Sequence, residues 1–386
     1  MEPINAIAAA SHPDPYPYYR RLLAGPALVF DPGLGLWIAS RAAVIDEVMA
    51  NAHCHVRPAA EAVPKAIAGS SAGAVYGRLA RMNDGDAHAQ ARRAVGAAMG
   101  GVDMALAGRR SLQLASRPGL QDGAALTRWM VDVPTFVVAD LLGFRDAELA
   151  QVARWTADFV RCLSPLSTPE QLASASIAAQ ALTASVAQLL EHGDANTLAR
   201  RCAQAGWAER DALIANLIGL LSQTHEATAG LIGNCIVALL GMDGMQLRLR
   251  ADPLLASDFV REVARYDPPV QNTRRFVVQQ TSVAGVPLQS GDTILLLLAA
   301  AGRDESANLT AGVFSLERAE RTQAGFGHGR HACPGRELAF VIATGAVQVL
   351  LALPDPLDAK ALGWNYAPSV NGRLPRFFNT VLEGKP

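Results

Sequence analysis

The chain has 386 residues, 50% of them hydrophobic, enough to bury a large core in one big domain or two. Its formal net charge of -1, with 18% charged residues, excludes the global positive field of a nucleic-acid binder. The cysteines, Cys54, Cys162, Cys202, Cys235 and Cys333, are odd in number and form no CxxC, which excludes a disulfide framework and fits a reducing cytoplasm.

In chain order, Met1 to Ser11 lacks a basic run followed by an apolar one, so neither a signal peptide nor a membrane anchor is expected there. A short helix is predicted at Tyr16 to Leu23, strands at Ala27 to Phe30 and Gly35 to Ala39, and a helix at Ala42 to Ala50. His53-Cys54-His55 points in alternating directions and lacks a fourth ligand, which argues against a metal site. Pro58 to Gly77 has no clear period and reads as loop with short helical turns. From Asp86 to about Leu240 the apolar spacing is helical, with breaks at Pro118-Gly119, Phe144-Arg145-Asp146, Ser164 to Thr168 and Gly193-Asp194. The most apolar stretch, Ala212 to Leu240, holds Ser222-Gln223-Thr224-His225-Glu226 at its centre. Those side chains are costly in lipid, so a helix buried in protein is predicted rather than a membrane span.

A helix at Ala256 to Tyr266 stops at Asp267-Pro268-Pro269. Strands are predicted at Thr273 to Val278, Ser282 to Val286 and Thr293 to Leu298, with a turn at Gly291-Asp292. Arg303 to Thr322 is irregular, Gly325 to Gly335 is glycine-rich, Arg336 to Leu351 is helical, and Tyr366 to Val381 returns to short strands. No linker or repeat divides residues 1–386, which are expected to form a single, mainly α domain with a minor β region.

Three spacings carry chemistry. In Phe326-Gly327-His328-Gly329-Arg330-His331-Ala332-Cys333-Pro334-Gly335, the glycines permit left-handed backbone and close approach to a flat ligand. Cys333 precedes a helix start, where unpaired N–H groups can stabilise a thiolate. Glu262 and Arg265, at i and i+3, can form an ion pair. His88 and Arg92, at i and i+4, share a helix face and can meet buried carboxylates.

The cysteine segment matches Phe-Gly-x-Gly-x-His-x-Cys-x-Gly at every fixed position and resembles the signature of the cytochrome P450 family. Glu262 to Arg265, followed by Pro268-Pro269 and Arg274-Arg275, resembles that family's K-helix and following strand. The resemblance spans nearly the whole chain, from Asp14-Pro15-Tyr16-Pro17-Tyr18 through Ala299-Ala300-Ala301-Gly302-Arg303-Asp304 to Leu374-Pro375-Arg376-Phe377. It implies the triangular, mainly helical P450 fold and haem b, iron protoporphyrin IX, as cofactor. Cys333 is then the axial iron ligand, with Phe326 and Gly335 beside it. His88, Arg92, His331 and Arg275, or its neighbour Arg274, would hold the propionates. The family completes the Glu262–Arg265 pair with a meander arginine or histidine. The matched position here is Val313, with Arg318 as a substitute.

Gln223-Thr224-His225-Glu226-Ala227-Thr228-Ala229-Gly230-Leu231-Ile232-Gly233-Asn234 resembles the family's distal helix, with two departures. Ala227 stands where the proton-relaying alcohol is usual, and Gln223-Thr224 where a small Ala-Gly pair is. Glu226 keeps the acid. Proton delivery then falls to Glu226 with Thr228, Thr224, Gln223, an ordered water or a substrate hydroxyl.

The resemblance implies a haem-thiolate monooxygenase that activates dioxygen to hydroxylate or otherwise oxidise a small, fairly apolar, uncharged molecule in secondary metabolism or catabolism. The alternatives are peroxide-using or non-monooxygenase chemistry (desaturation, coupling) and a non-catalytic haem sensor. The substrate pocket is expected from Pro58 to Arg81, Phe159 to Thr168, Leu220 and Gln223, Val270 to Thr273 and Ser369 to Asn371. Because the chain ends soon after the cysteine loop, electrons are expected from separate ferredoxin and ferredoxin reductase proteins. Arg330, Arg336, Arg92, Arg93, Arg109 and Arg110 are candidates to steer the ferredoxin. A cytoplasmic monomer without nucleic-acid or membrane partners is expected.

Overall fold

A computed structural model of the chain describes residues 2–116 and 119–380. The helices are α1 Tyr16–Ala24, α2 Ala42–Ala50, α3 Ser71–Arg78, α4 Gly85–Gly100, α5 Met104–Ala115, α6 Gly123–Leu142, α7 Asp146–Phe159, α8 Pro169–His192, α9 Leu198–Gln204, α10 Arg210–Gly241, α11 Met245–Ala251, α12 Ala256–Tyr266, α13 Leu298–Ala301 and α14 Arg336–Leu351. The strands are β1 Leu28–Asp31, β2 Leu36–Ala39, β3 Cys54–His55, β4 Thr273–Val277, β5 Thr281–Val283, β6 Val286–Leu288, β7 Thr293–Leu296, β8 Leu362–Tyr366 and β9 Pro375–Asn379. The mainly α fold with a minor β region is as the sequence implies.

Local chemistry sets the boundaries. Thr168 and Gln171 form a reciprocal capping box, and Pro169 opens α8 at its first position. Gly143, at φ 112°, ends α6 in a left-handed cap. Three expectations change. Part of the loop predicted at Pro58 to Gly77 is the helix α3, whose N-cap Ser70 Oγ accepts from the Gly73 N–H at 3.1 Å. Between the predicted break at Gly193-Asp194 and Leu240 there is a further break before α10, where Gly206 takes φ 76°. The strand predicted at Ser282 to Val286 is split into a hairpin: Ser282 and Val283 lie in β5, Val286 opens β6, and Ala284 and Gly285 form the turn at φ 50° and 76°. Ala284 tolerates that backbone because its N–H donates to the Glu47 carboxylate at 3.0 Å. Of the break predicted at Pro118-Gly119, Pro118 lies outside the described residues, as does Val381 at the end of the last predicted strand.

Five strands form one sheet in the order β1-β2-β7-β4-β3, with β2 and β7 parallel and the other neighbours antiparallel. The pairs β5-β6 and β8-β9 stand apart. α10 is buried around most of its circumference and packs on α6, α14, α12 and α3. A Cβ on Gly230 would lie 2.7 Å from Pro269 Cβ and 3.0 Å from the Arg373 carbonyl oxygen, so glycine there lets the segment after α12 press onto α10. By length and apolarity α8 is long enough to cross a membrane. Its buried residues, Ala175, Ala178, Ala179, Leu182 and Val186, fall on one helical stripe, the pattern of a helix laid on a protein core.

Candidate functional site

The cysteine loop is shaped by backbone. The Cys333 N–H donates to the Phe326 carbonyl at 2.8 Å, closing a turn in which Gly327 and Gly329 take φ 72° and 60°. A Cβ on Gly327 would meet the His331 carbonyl oxygen at 3.1 Å. Cys54, Cys162, Cys202 and Cys235 are buried, whereas Cys333 opens onto a cavity of about 600 Å³ between the loop and α10. Protein packed around that cavity desolvates the thiol and raises its pKa, against the Gly335 N–H, Arg92, Arg336 and Arg81. Local dipoles and cations therefore do not ionise the thiol unaided, whereas coordination to a metal ion does so outright.

The cavity wall collects every sequence-predicted cofactor residue: His88 and Arg92 from α4, Arg274 and Arg275 from β4, and Phe326, His331, Cys333 and Gly335 from the loop. The His88 and His331 rings lie 4.1 Å apart, and His331 Nε2 is 3.1 Å from Asp84 Oδ1. Burial, with His331, lowers His88 to about 4, so it is neutral at pH 7. Burial pushes Asp84 up, but hydrogen bonds from His331 and the Val56 N–H outweigh it and hold the carboxyl at about 2. Arg92 Nη2 donates to the Ala332 carbonyl at 3.0 Å. Arg275 is 5% exposed, burial lowers it to about 10, and its buried Nε has no hydrogen-bond partner. A buried guanidinium donor left so is unfavourable until an anion reaches it. A thiol beside a close-approach loop, with histidines and an orphaned arginine donor on the same wall, fits haem and its two carboxylates. Arg274 is half-buried on that wall.

The opposite wall is α10, through Gln223, Thr224, Ala227 and Thr228. Among the described residues, the side chains of Gln223, Thr224 and Thr228 make no hydrogen bond, so their polar atoms are available to a ligand. The Gln223 amide folds back along the helix, its Nε2 3.2 Å from where a Cβ on Gly219 would be. Glu226 is the predicted catalytic residue that does not line the cavity. It keeps solvent access, yet burial raises its carboxyl above the usual range, with Arg161 and Arg81 opposing. His225 turns toward α6, its Nδ1 3.2 Å from Thr135 Oγ1.

Pro58, Arg81, Leu220, Val270 and Thr273 line the cavity as predicted. Phe159 to Thr168 and Ser369 to Asn371 do not. The latter segment instead braces the wall from behind, the Gln271 N–H donating to the Asn371 carbonyl at 2.8 Å and Asn272 Nδ2 to the Val370 carbonyl at 3.0 Å.

Behind the loop, Glu262 and Arg265 are fully buried and doubly bonded, at 2.6 and 3.0 Å. Val313 contributes only its carbonyl, which accepts from Arg265 at 3.0 Å. The expected third partner is supplied twice, by Arg318 Nε at 3.2 Å and by Arg321 Nε at 3.3 Å from the Glu262 carboxylate. Burial raises Glu262, but these cations and the Ser315 N–H hold it below the usual carboxylate range. Among the basic residues expected to steer a redox partner, Arg330 donates to the Asn51 and Cys54 carbonyls at 3.0 and 2.9 Å, and Arg110 pairs with Asp140 and Asp146. Those two are tied into the fold and Arg92 faces the cavity, leaving Arg93, Arg109 and Arg336 exposed.

A cytochrome P450 family profile matches residues 237–351, from the end of α10 through α14. Cytochrome P450 144 of Mycobacterium tuberculosis is 29% identical over 384 residues, covering 94% of this chain and 87% of that protein. The cytochrome P450 monooxygenase PikC of Streptomyces venezuelae is 31% identical over 272 residues, 67% of this chain and 63% of PikC. The crystal structure of P450BioI in complex with a hexadec-9Z-enoic acid ligated acyl carrier protein superposes with a TM-score of 0.81 at 22% identity, covering 95% of this chain and 98% of that one. The thiol loop, the buried Glu262–Arg265 pair and these likenesses agree: the chain belongs to the cytochrome P450 family.

Proposed function

We propose that this chain is a haem-thiolate monooxygenase that activates dioxygen to oxidise a small, fairly apolar organic molecule. The observation that carries the reading is Cys333, the cavity-facing thiol, opposed across that cavity by Gln223, Thr224, Ala227 and Thr228. Haem b fits the donor set. Cys333 would ligate the iron, Phe326 and Gly335 would flank the ring, and His88, Arg92, His331 and Arg275 would hold its carboxylates, with Arg274 in reserve beside Arg275. When bound, that group supplies a thiolate-ligated iron at which dioxygen is reduced.

The protein's own residues position the substrate and move protons. Thr224 and Thr228 present hydroxyls to the cavity, and the Gln223 amide can orient a polar group of the substrate. Glu226, behind Ala227, holds its proton to higher pH than an ordinary glutamate, which suits a donor feeding those hydroxyls. Its protonated fraction falls as pH rises through the raised pKa, so turnover should decline on the alkaline side. Glu226→Gln should flatten that limb while leaving the substrate-induced spin shift intact. A pH profile of kcat for both proteins checks this; an identical alkaline limb in the variant removes Glu226 from proton delivery.

We take residues 1–386 as one haem domain, a cytoplasmic monomer with no nucleic-acid or membrane partner. It would receive electrons from a separate ferredoxin and ferredoxin reductase, with Arg93, Arg109 and Arg336 as exposed docking cations. Turnover with NADPH and a surrogate pair of this kind, but not with hydrogen peroxide alone, is the expected result. Peroxide-driven turnover without the pair contradicts it.

A further inference from the structure

We propose that Arg81 recognises a carboxylate on the molecule this cavity takes, so that the substrate is an apolar body bearing one anionic group. The inference rests on the haem-thiolate reading above and names the substrate class for that site.

Arg81 lies in the tight turn Ala80–Met82 between α3 and α4, and this turn is tied to the rest of the fold. The Ala80 N–H donates to Asn216 Oδ1 of α10 at 2.8 Å, while Asn216 Nδ2 donates to the Arg78 carbonyl at 2.9 Å. Asn83 Nδ2 spans the Gly77 and Leu79 carbonyls at 2.9 and 2.8 Å. A backbone so held fixes where the side chain starts. That side chain lines the cavity and, among the described residues, makes no hydrogen bond or ion pair.

Of the other guanidiniums on the wall, Arg274 also has no side-chain partner among the described residues and, like Arg275 with its unpaired Nε, sits on β4 where the cofactor's carboxylates are assigned, whereas Arg57 and Arg92 are engaged through their terminal nitrogens. Arg57 donates to the Tyr76 hydroxyl and to the Glu61 carbonyl at 2.6 Å, and Arg92 and Arg275 bond loop and strand carbonyls. Glu61 is the one acid on the described wall. Behind the wall, Glu226 has Arg81 and Arg161 as its electrostatic neighbours, with no ion pair to either, so one carboxylate faces two guanidiniums. The Arg81 side chain is open to the cavity, and the protein packed around that cavity lowers its pKa, opposed by Tyr76, Glu226 and Cys333. A planar guanidinium recovers most by meeting a carboxylate through paired N–H groups. On the same cavity wall Met82, Leu220 and Val270 offer apolar surface for the rest of the ligand.

The test titrates the haem-loaded chain with decanoate, cinnamate and adamantane carboxylate, each against its methyl ester, reading Kd from the shift to high spin. At least one acid should bind about tenfold or more tighter than its ester. Arg81→Gln should erase that preference while keeping haem content and ester affinity. Three results overturn the inference: no acid outbinds its ester, the preference survives in Arg81→Gln, or Arg81→Gln sheds haem, which would assign Arg81 to a carboxylate of the cofactor. The carbon monoxide spectrum of the same samples separates the two claims. A sample without the thiolate band overturns the haem-thiolate reading itself, whereas the band without carboxylate preference overturns only the role of Arg81.

Discussion

Replacing Glu262 with alanine should destabilise the protein by about 3–5 kcal/mol, because it leaves buried cations without their carboxylate. Arg265 is 0% exposed, and its remaining bonds, to the carbonyls of Gly302, Ala311 and Val313, do not neutralise it. Arg318 and Arg321 lose the same acceptor. Against a typical stability of about 5–15 kcal/mol the loss is large. The stretch from Gly302 to Arg321 hangs on this carboxylate and leads directly into the cysteine loop, so haem retention should fall with stability. Thermal unfolding and haem content of the purified variant measure both. A melting temperature within a degree or two of the parent's would show that the ion cluster carries little of the fold.

Cys333→Ala should abolish oxygen-dependent turnover while leaving the fold of the haem-free chain nearly unchanged. The Cys333 side chain faces the cavity, while the loop is held by its backbone and by Gly327 and Gly329. The substitution resembles a surface change, worth within about 0.5 kcal/mol. Urea unfolding of the haem-free proteins should therefore coincide within that margin. Turnover supported by the variant with NADPH and the surrogate redox pair contradicts Cys333 as the iron ligand.

What was legible in the sequence was local. The cysteine loop could be read because its glycines, cysteine and helix start lie within ten residues and act through their own backbone. The Glu262–Arg265 pair could be read because i and i+3 on a helix fix a contact in advance. The partners of that pair were less legible. Val313 takes part through its carbonyl, a role no side-chain pattern encodes, and Arg318 and Arg321 reach Glu262 from an irregular segment 56 and 59 residues away. The β5–β6 hairpin was misread because its first turn residue is Ala284, which adopts φ 50° only with help from Glu47, a residue distant in sequence.

The distal side divides in the same way. The α10 register placed Gln223, Thr224, Ala227 and Thr228 on the cavity wall, since helical spacing alone puts those positions together. It did not show that Glu226 turns off that wall. Nor did it single out Arg81, whose position depends on Asn216 gripping a turn more than a hundred residues earlier in the chain. An uncharged ligand was the expectation from the small and apolar residues around the pocket. The unpaired guanidinium in the wall changes that picture.

The most direct test of the central claim is the carbon monoxide difference spectrum of the reduced, haem-loaded chain, taken beside Cys333→His. Ligation by the Cys333 thiolate predicts the strongly red-shifted Soret band of a thiolate-bound haem in the parent protein, and its replacement by a histidine-type band in the variant. A histidine-type band in the parent, or a thiolate band that persists in Cys333→His, would contradict the account.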